Sequence, residues 1–185
     1  KAAVTHMTPV MLLTDGYLAN GSEPWNIPNL DEMESIDIKF ADKPNADGDF
    51  LPYLRDEKTL ARPWAIPGTE KLEHRVGGIE TAENTGHVSY EPENHHRMVM
   101  LRQEKVDRIQ NDIPPTKVFG DSHGDRLILS WGGTYGACRS ASETLQEEGL
   151  KVSHVHIRWI SPLPKDLGEI LINFKHVLIP EINLG

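Results

Sequence analysis

The chain has 185 residues, 38% hydrophobic and 25% charged, which is enough apolar material for a folded core in one or two domains. Its net charge of −9 argues against nucleic-acid binding, which calls for a basic patch. The single cysteine, Cys138, excludes an internal disulfide and favours a reducing cytoplasm, and no run reaches the ~18 apolar residues of a membrane span.

The chain begins with an apolar run. Residues 8–14 lack polar alternation and predict a strand buried on both faces. Another apolar run, residues 176–179, lies close to the other end. Because α/β proteins seldom begin and end on buried strands, we expect the chain to be a piece of a longer protein.

The turn Asp15-Gly16-Tyr17 follows the first predicted strand. Open α/β sheets bind ligands at the carboxyl ends of their strands, which makes Asp15 and Tyr17 candidate cofactor-binding residues. The alternative is a turn aspartate that hydrogen-bonds its own backbone.

Residues 20–69 show neither helical nor strand periodicity and contain six prolines. A stretch of this length without periodicity is typical of a functional or flexible loop. We expect it to cover a site, with parts of it packing through Trp25, Tyr53 and Trp64.

A helix is predicted over residues 92–113. Val99, Val106, Ile109 and Ile113 share one helical face. Pro114-Pro115 ends the helix and places a domain boundary between residues 113 and 114.

The remainder alternates between strands and helices. Strands are predicted at residues 126–131, 152–160 and 176–179, and helices at 135–148 and 165–174. Ala137, Ala141 and Leu145 are expected on the buried side of the first of these helices, which Gly149 ends. The alternation predicts an α/β fold with three layers, α/β/α, and a mainly parallel sheet.

The turn after the strand at 126–131 is rich in glycine. Gly132, Gly133 and Thr134 are candidate cofactor-binding residues, because a helix amino terminus offers free N–H groups to an anion. Tight turn packing is the simpler interpretation. The spacing is not G-x-G-x-x-G and no acidic residue follows about 20 positions later, which argues against a nicotinamide site.

The histidines and the cysteine carry weaker signals. His154 and His156 share a strand face, but no carboxylate or thiolate lies near them in sequence, so a structural pair is favoured over a metal site. Cys138 is interpreted as a small core residue rather than a nucleophile. Hydrolase elbows, P-loops and the H-E-x-x-H motif are missing from the sequence.

Several segments, in order along the chain, closely resemble the alpha subunits of 2-oxoacid:ferredoxin oxidoreductases, and among these the 2-oxoglutarate enzymes. The segments are residues 8–21, 52–53, 62–68, 86–95, 129–136 and 180–185. The resemblance implies that residues 1–113 are the end of the thiamine pyrimidine-binding domain, with a long loop and a connecting helix. It implies that residues 114–185 are a truncated transketolase C-terminal-like domain.

The resemblance also implies a function for the whole complex. An alpha–beta assembly would decarboxylate 2-oxoglutarate on thiamine diphosphate, pass electrons through an iron–sulfur cluster to ferredoxin, and transfer the succinyl group to coenzyme A. The activating glutamate of the family precedes this segment, and the beta subunit holds the diphosphate, magnesium and cluster. No catalytic residue, metal or cofactor is therefore expected on this chain alone, which would serve as scaffold and subunit interface.

Two alternatives come from other classes. The chain could be a non-catalytic α/β interaction module, or the C-terminal part of another thiamine enzyme, such as a transketolase or a pyruvate:ferredoxin oxidoreductase. The segments at residues 52–67 and 86–95 speak against an interaction module and against a transketolase.

Overall fold

A computed structural model describes residues 1–184 of the chain. It consists of two compact units. The first comprises residues Lys1–Val10 and Pro28–Ile109, and the second comprises Met11–Ile27 and the chain from Gln110 onward.

The first unit is built around one long helix and little other regular structure. Its first element is helix α1 (Ala2–Thr5). The next helix along the chain, α2 (Gly16–Asn20), belongs to the second unit. The remaining elements of the first unit are strands β1 (Phe40–Ala41) and β2 (Trp64–Ala65), which pair in parallel, and helix α3 (Pro92–Ile109). Leu60, Met98 and Leu101 form its core, with Tyr53 packed against them.

Helix α3 confirms the helix predicted at residues 92–113. Pro92 suits the first turn because the amide that proline lacks would be unpaired there, and Arg108 in the last turn complements the helix dipole. The predicted buried face was partly wrong, since Val99 is 42% exposed while Met98, Leu101 and Ile109 are buried. These three positions also satisfy helical spacing, so the pattern alone could not separate the two faces.

A carboxylate ties the preceding loop to α3. Glu80 accepts hydrogen bonds from Arg102 at 3.2 Å and pairs with His95 at 2.7 Å. The Arg102 hydrogen bonds are the main reason that the pKa of Glu80 falls from 4.5 to about 2.

Residues 20–69 are almost entirely irregular, as their lack of periodicity predicted. Because few strands or helices are present here, side chains form hydrogen bonds with backbone groups that would otherwise pair within secondary structure. The Asn45 amide donates to the carbonyl of Leu51 and accepts from its N–H, while Asp56 Oδ1 accepts from the N–H groups of Lys58 and Thr59. Such local bonds stabilise turns where no ladder is available.

The second unit contains a four-stranded sheet with a helix on each face. Its further elements are strands β3 (Val118–Phe119), β4 (Gly124–Trp131), β5 (Val152–Ile157) and β6 (Phe174–Leu178), and helices α4 (Tyr135–Glu147) and α5 (Leu167–Ile172). The strand order is β3-β5-β4-β6. Strand β4 is parallel to both β5 and β6, and only the short edge strand β3 is antiparallel.

The alternation of side chains along β4 creates the three layers. Leu127 and Leu129 pack with Leu167 of α5 on one face of the sheet. Ile128 packs with Cys138 of α4 on the other face. The predicted α/β/α architecture with a mainly parallel sheet is confirmed, and Cys138 is a core residue as predicted.

Three local predictions were wrong. Residues 8–14 form no strand, and Leu12 among them is 86% exposed, because a strand needs a hydrogen-bonded neighbour and none of residues 1–184 pairs with this run. On α4 the buried positions are Cys138 and Ser142, one residue beyond the predicted Ala137 and Ala141. The strand predicted at residues 152–160 ends at Ile157.

Candidate functional site

The candidate site lies at the carboxyl edge of the four-stranded sheet. Because β4 and β6 are parallel neighbours, the segments that follow them emerge at the same edge. The chain passes from β4 to β5 on one side and then returns to β6 on the other, so the strand order reverses here. A pocket of about 190 Å³ opens at this point, lined by residues 13–15, 131–134 and 180–183. We call it the Asp15 pocket.

Asp15 and Gly133 meet closely in this pocket. Asp15 is the amino-terminal cap of α2, where its Oδ1 accepts the Tyr17 N–H at 2.8 Å. A methyl group added at Gly133 would lie 2.5 Å from Asp15 Oδ2 and 2.8 Å from its Cγ. The alternative considered from the sequence, a turn aspartate that hydrogen-bonds its own backbone, is therefore present, and its carboxylate also packs on a glycine backbone.

Gly132 has a different requirement. Its φ of +59° is in the left-handed region, which glycine adopts without steric cost. The turn is closed by Thr134, whose hydroxyl donates to the carbonyl of Trp131 at 2.7 Å. Both glycines therefore agree with tight turn packing, the simpler interpretation of this turn.

Four of the five predicted site residues line this one pocket: Asp15, Gly132, Gly133 and Thr134. Tyr17 does not. Its side chain is 79% exposed, and its backbone N–H alone reaches Asp15. Glu181, which was not predicted, accepts from Trp131 Nε1 at 3.4 Å on the opposite wall. With Asp15 and Glu181 both in the lining, the pocket suits a hydrogen-bond donor better than a phosphate.

A second polar cluster lies beneath α4. The Ser130 hydroxyl is fully buried and contacts His154 Nε2 at 2.7 Å and His156 Nδ1 at 2.8 Å. The ring of Tyr135 packs on both imidazoles, with centroids 5.9 and 4.9 Å away. The predicted pairing of the two histidines on one strand face is confirmed. Ser130 was missed, although a serine within the apolar run of β4 is a signal for a buried partner.

Burial lowers the pKa of both histidines, since charging them would cost solvation. A further lowering comes from His156 acting on His154 and from Arg158 acting on His156. Both imidazoles are therefore neutral at pH 7. A single hydroxyl donates only one proton, so at least one imidazole must donate to Ser130.

The residues present do not fit a metal or an iron–sulfur cluster. Among residues 1–184, no group of three or more His, Cys, Asp or Glu side chains is placed to hold an ion. Cys138 is buried and single, whereas a cluster needs several thiolates. Within the same residues, no helix combines the length and apolar character needed to cross a bilayer.

No family model matches the sequence. A solved structure and individual proteins do match, and their names agree, since they are 2-oxoglutarate or 2-oxoacid oxidoreductases or subunits of such enzymes. A solved 2-oxoglutarate:ferredoxin oxidoreductase from Magnetococcus marinus, with 2-oxoglutarate, coenzyme A and succinyl-CoA bound, is similar with a TM-score of 0.74 and 30% identity. The similarity covers 85% of this chain and 27% of that chain.

Curated relatives agree. A 2-oxoglutarate oxidoreductase subunit KorA from Mycobacterium tuberculosis is 48% identical over 100% of this chain and 28% of its own length. A 2-oxoacid:ferredoxin oxidoreductase subunit alpha from Saccharolobus solfataricus is 30% identical over 96% of this chain and 28% of its own length. The chain is a homologue of these alpha subunits along its whole length, as the resemblance predicted, and it spans just over a quarter of the length of each.

Proposed function

We propose that this chain is part of the alpha subunit of a thiamine-diphosphate-dependent 2-oxoglutarate:ferredoxin oxidoreductase. The complex would oxidatively decarboxylate 2-oxoglutarate to succinyl-CoA and pass the electrons to ferredoxin in the cytoplasm. The main support is the 48% identity, over the full chain, to a subunit named for 2-oxoglutarate oxidation. The structural similarity to an enzyme with 2-oxoglutarate and succinyl-CoA bound supports the same substrate.

Within that complex the chain would act as scaffold and subunit interface rather than supply reacting groups. Residues 1–113 would be the end of the pyrimidine-binding domain, and residues 114–185 a transketolase C-terminal-like domain. A stretch of exposed apolar side chains supports an interface with the beta subunit, because soluble surfaces seldom expose such runs without a partner. The stretch comprises Val10, Met11, Leu12, Leu13, Leu18, Trp25, Ile27 and Leu30.

Thiamine diphosphate, magnesium and the iron–sulfur cluster would be bound elsewhere in the complex. The donor set supports this for the metal groups, since a single buried cysteine and the lack, among residues 1–184, of a clustered set of carboxylates suit neither magnesium nor an iron–sulfur cluster. The Asp15 pocket would form a wall near the cofactor, with Asp15, Gly132, Gly133 and Thr134 as contacts and Tyr17 beside them.

The experiment is to produce the full-length alpha subunit with its beta subunit and to assay several 2-oxoacids with coenzyme A and ferredoxin. We expect the largest kcat/KM for 2-oxoglutarate. Equal or better turnover of pyruvate would contradict the substrate assignment. In parallel, calorimetry of the 185-residue chain with thiamine diphosphate and magnesium should show no tight binding beyond what pyrophosphate alone shows, and micromolar binding that pyrophosphate does not match would contradict the scaffold role.

A substitution tests the interface. Leu12→Asp places a charge in the exposed apolar stretch and should reduce co-purification of the beta subunit, because a charge buried at an interface without a partner is costly. Leu12→Met keeps the side chain apolar and is the matched control. Equal recovery of the beta subunit with both variants would show that this stretch is not the interface.

A further inference from the structure

The second unit contains a larger cavity that the proposed function does not use. It has a volume of about 580 Å³ and lies beside β3 and the carboxyl end of β5. We call it the basic cavity. Its lining includes the segment 113–119, Tyr135 and Arg139 of α4, His154 and His156 of β5, and Arg158 and Trp159.

The charges in this lining all have one sign. Lys117, Arg139 and Arg158 contribute cationic groups, and no aspartate or glutamate belongs to the lining. Of the three, Arg139 is partly neutralised by Glu143 at 2.7 Å. Neither Lys117 nor Arg158 forms a salt bridge within residues 1–184. In a chain of net charge −9, this concentration of unpaired positive charge is unusual.

A histidine adds a hydrogen-bond donor to the cavity. His156 Nδ1 is held by Ser130 at 2.8 Å, which fixes the orientation of the ring. Nε2 has no hydrogen-bond partner among residues 1–184, and the ring belongs to the cavity lining. When Ser130 donates to Nδ1, Nε2 carries the proton and offers it to the cavity.

From these observations we propose that the basic cavity binds a phosphate-bearing small molecule, with Lys117, Arg158 and His156 Nε2 as its ligands. Arginine suits phosphate because its planar guanidinium donates two parallel hydrogen bonds, and lysine adds a point charge. The size of the cavity admits more than a single phosphate group. The site is separate from the Asp15 pocket, and its existence does not depend on the proposed enzyme activity.

Pyrophosphate is the probe, titrated into the 185-residue chain by calorimetry, with Trp159 fluorescence as a second readout at the cavity. Arg158→Gln and Lys117→Gln should each weaken binding about tenfold, since each removes a charge-assisted hydrogen bond. Lys151→Gln is the control. It removes another exposed lysine, which lies beyond the opposite end of β5, roughly 20 Å from Arg158 at the rise per residue of a strand, and it should leave the affinity unchanged.

The pH dependence of pyrophosphate affinity distinguishes binding at His156 from a general attraction of the anion to positive charge. Burial lowers the pKa of His156 in the free protein and an anion bound at the ring favours its charged form, so affinity should increase as the pH is lowered from neutrality. The charged and titratable groups around this ring are Lys117, Arg139, Arg158 and His154, with Tyr135 packed on it.

His156→Asn keeps an acceptor, the amide Oδ1, for the Ser130 hydroxyl at the position of Nδ1, but removes Nε2. Pyrophosphate itself titrates in this range, and that effect is common to both proteins. The pH dependence should therefore be weaker in the variant than in the parent protein.

Two results would overturn the proposal. One is the absence of pyrophosphate binding at millimolar concentrations. The other is an equal loss of affinity in Lys151→Gln and Arg158→Gln, which would mean that pyrophosphate responds to net charge alone. Circular dichroism of each variant confirms that the second unit is folded.

Discussion

Because Asp15 lies so close to Gly133, we expect substitutions at these two positions to have coupled effects on the unfolding free energy of the second unit. Gly133→Ala would place a methyl group 2.5 Å from Asp15 Oδ2, a distance that requires the carboxylate to move. The same carboxylate caps α2 through Tyr17 N–H. We therefore expect Gly133→Ala to act on stability through Asp15, whereas Gly132→Ala should act through its own backbone.

The magnitudes follow from these two mechanisms. Gly133 does not have a positive φ, so alanine there gains about 0.4–1 kcal/mol from the unfolded chain. Displacing the Asp15 cap costs about 1 kcal/mol, so the net effect in the parent protein is neutral to destabilising. In an Asp15→Ala background the cap is already lost and only a 3.2 Å contact with the Asp15 Cβ position remains. In the Asp15→Ala background, Gly133→Ala should therefore be stabilising. The difference between its effects on the unfolding free energy in the two backgrounds is a coupling of about 1 kcal/mol.

Gly132→Ala is the control within the same turn. At a φ of +59° it should destabilise by about 1 kcal/mol or more, with or without Asp15. Native-state hydrogen exchange of the buried β4 amides at Leu127 and Leu129 measures the unfolding free energy of the second unit alone. Two double-mutant cycles, one for each glycine with Asp15→Ala, give the two couplings. Couplings of equal size would refute the inferred contact between Asp15 and Gly133.

Three further predictions concern single side chains. Glu80→Gln should destabilise the first unit by about 1 kcal/mol at pH 7. Because Arg102 lowers the pKa of Glu80 from 4.5 to about 2, the difference should disappear as pH falls through that interval, and a difference unchanged at low pH would contradict it. Burial, with Arg55 nearby, lowers the pKa of Lys105 from 10.5 to about 8. The unfolded chain then binds more protons between these values, so stability should rise with pH there and Lys105→Met should abolish the rise in denaturation curves. The Cys138 thiol, packed in the core, should react with Ellman's reagent only in denaturant, and rapid labelling of the native protein would contradict its core assignment.

The alternation of strand and helix after residue 124 could be predicted because local pattern and tertiary environment agree there. Strands buried between two helical layers need continuous apolar runs, and Gly149 with a φ of +83° ends α4 where the pattern indicated. The buried face of α4 was placed one residue too early. Alanine and serine carry so little hydrophobic signal that Ser142, whose hydroxyl donates to the Cys138 carbonyl, cannot be told from a surface residue.

The candidate site was predictable in position but not in composition. The rule that ligands bind at carboxyl strand ends led to Asp15 and to the turn at residues 132–134, and the structure brings them into one pocket. Glu181 could not be found in the same way, because its place depends on β6 lying beside β4, and strand order is not encoded in local periodicity. The basic cavity was missed for the same reason, since Lys117 and Arg158 come from segments that only β3–β5 pairing brings together.

The apolar run at residues 8–14 shows where pattern and structure separate, and why the difference is informative. Its composition has the signature of a strand buried on both faces, yet Met11 and Leu12 are more than four-fifths exposed. A run of this composition is costly in water, and within residues 1–184 it joins no strand and leaves Met11, Leu12 and Leu13 exposed. The exposed apolar run therefore supports the proposed interface with a beta subunit. Trp25 and Ile27, later in the chain, are exposed as well, and Leu12 is the position at which the proposed interface is tested because it is one of the most exposed residues of the run.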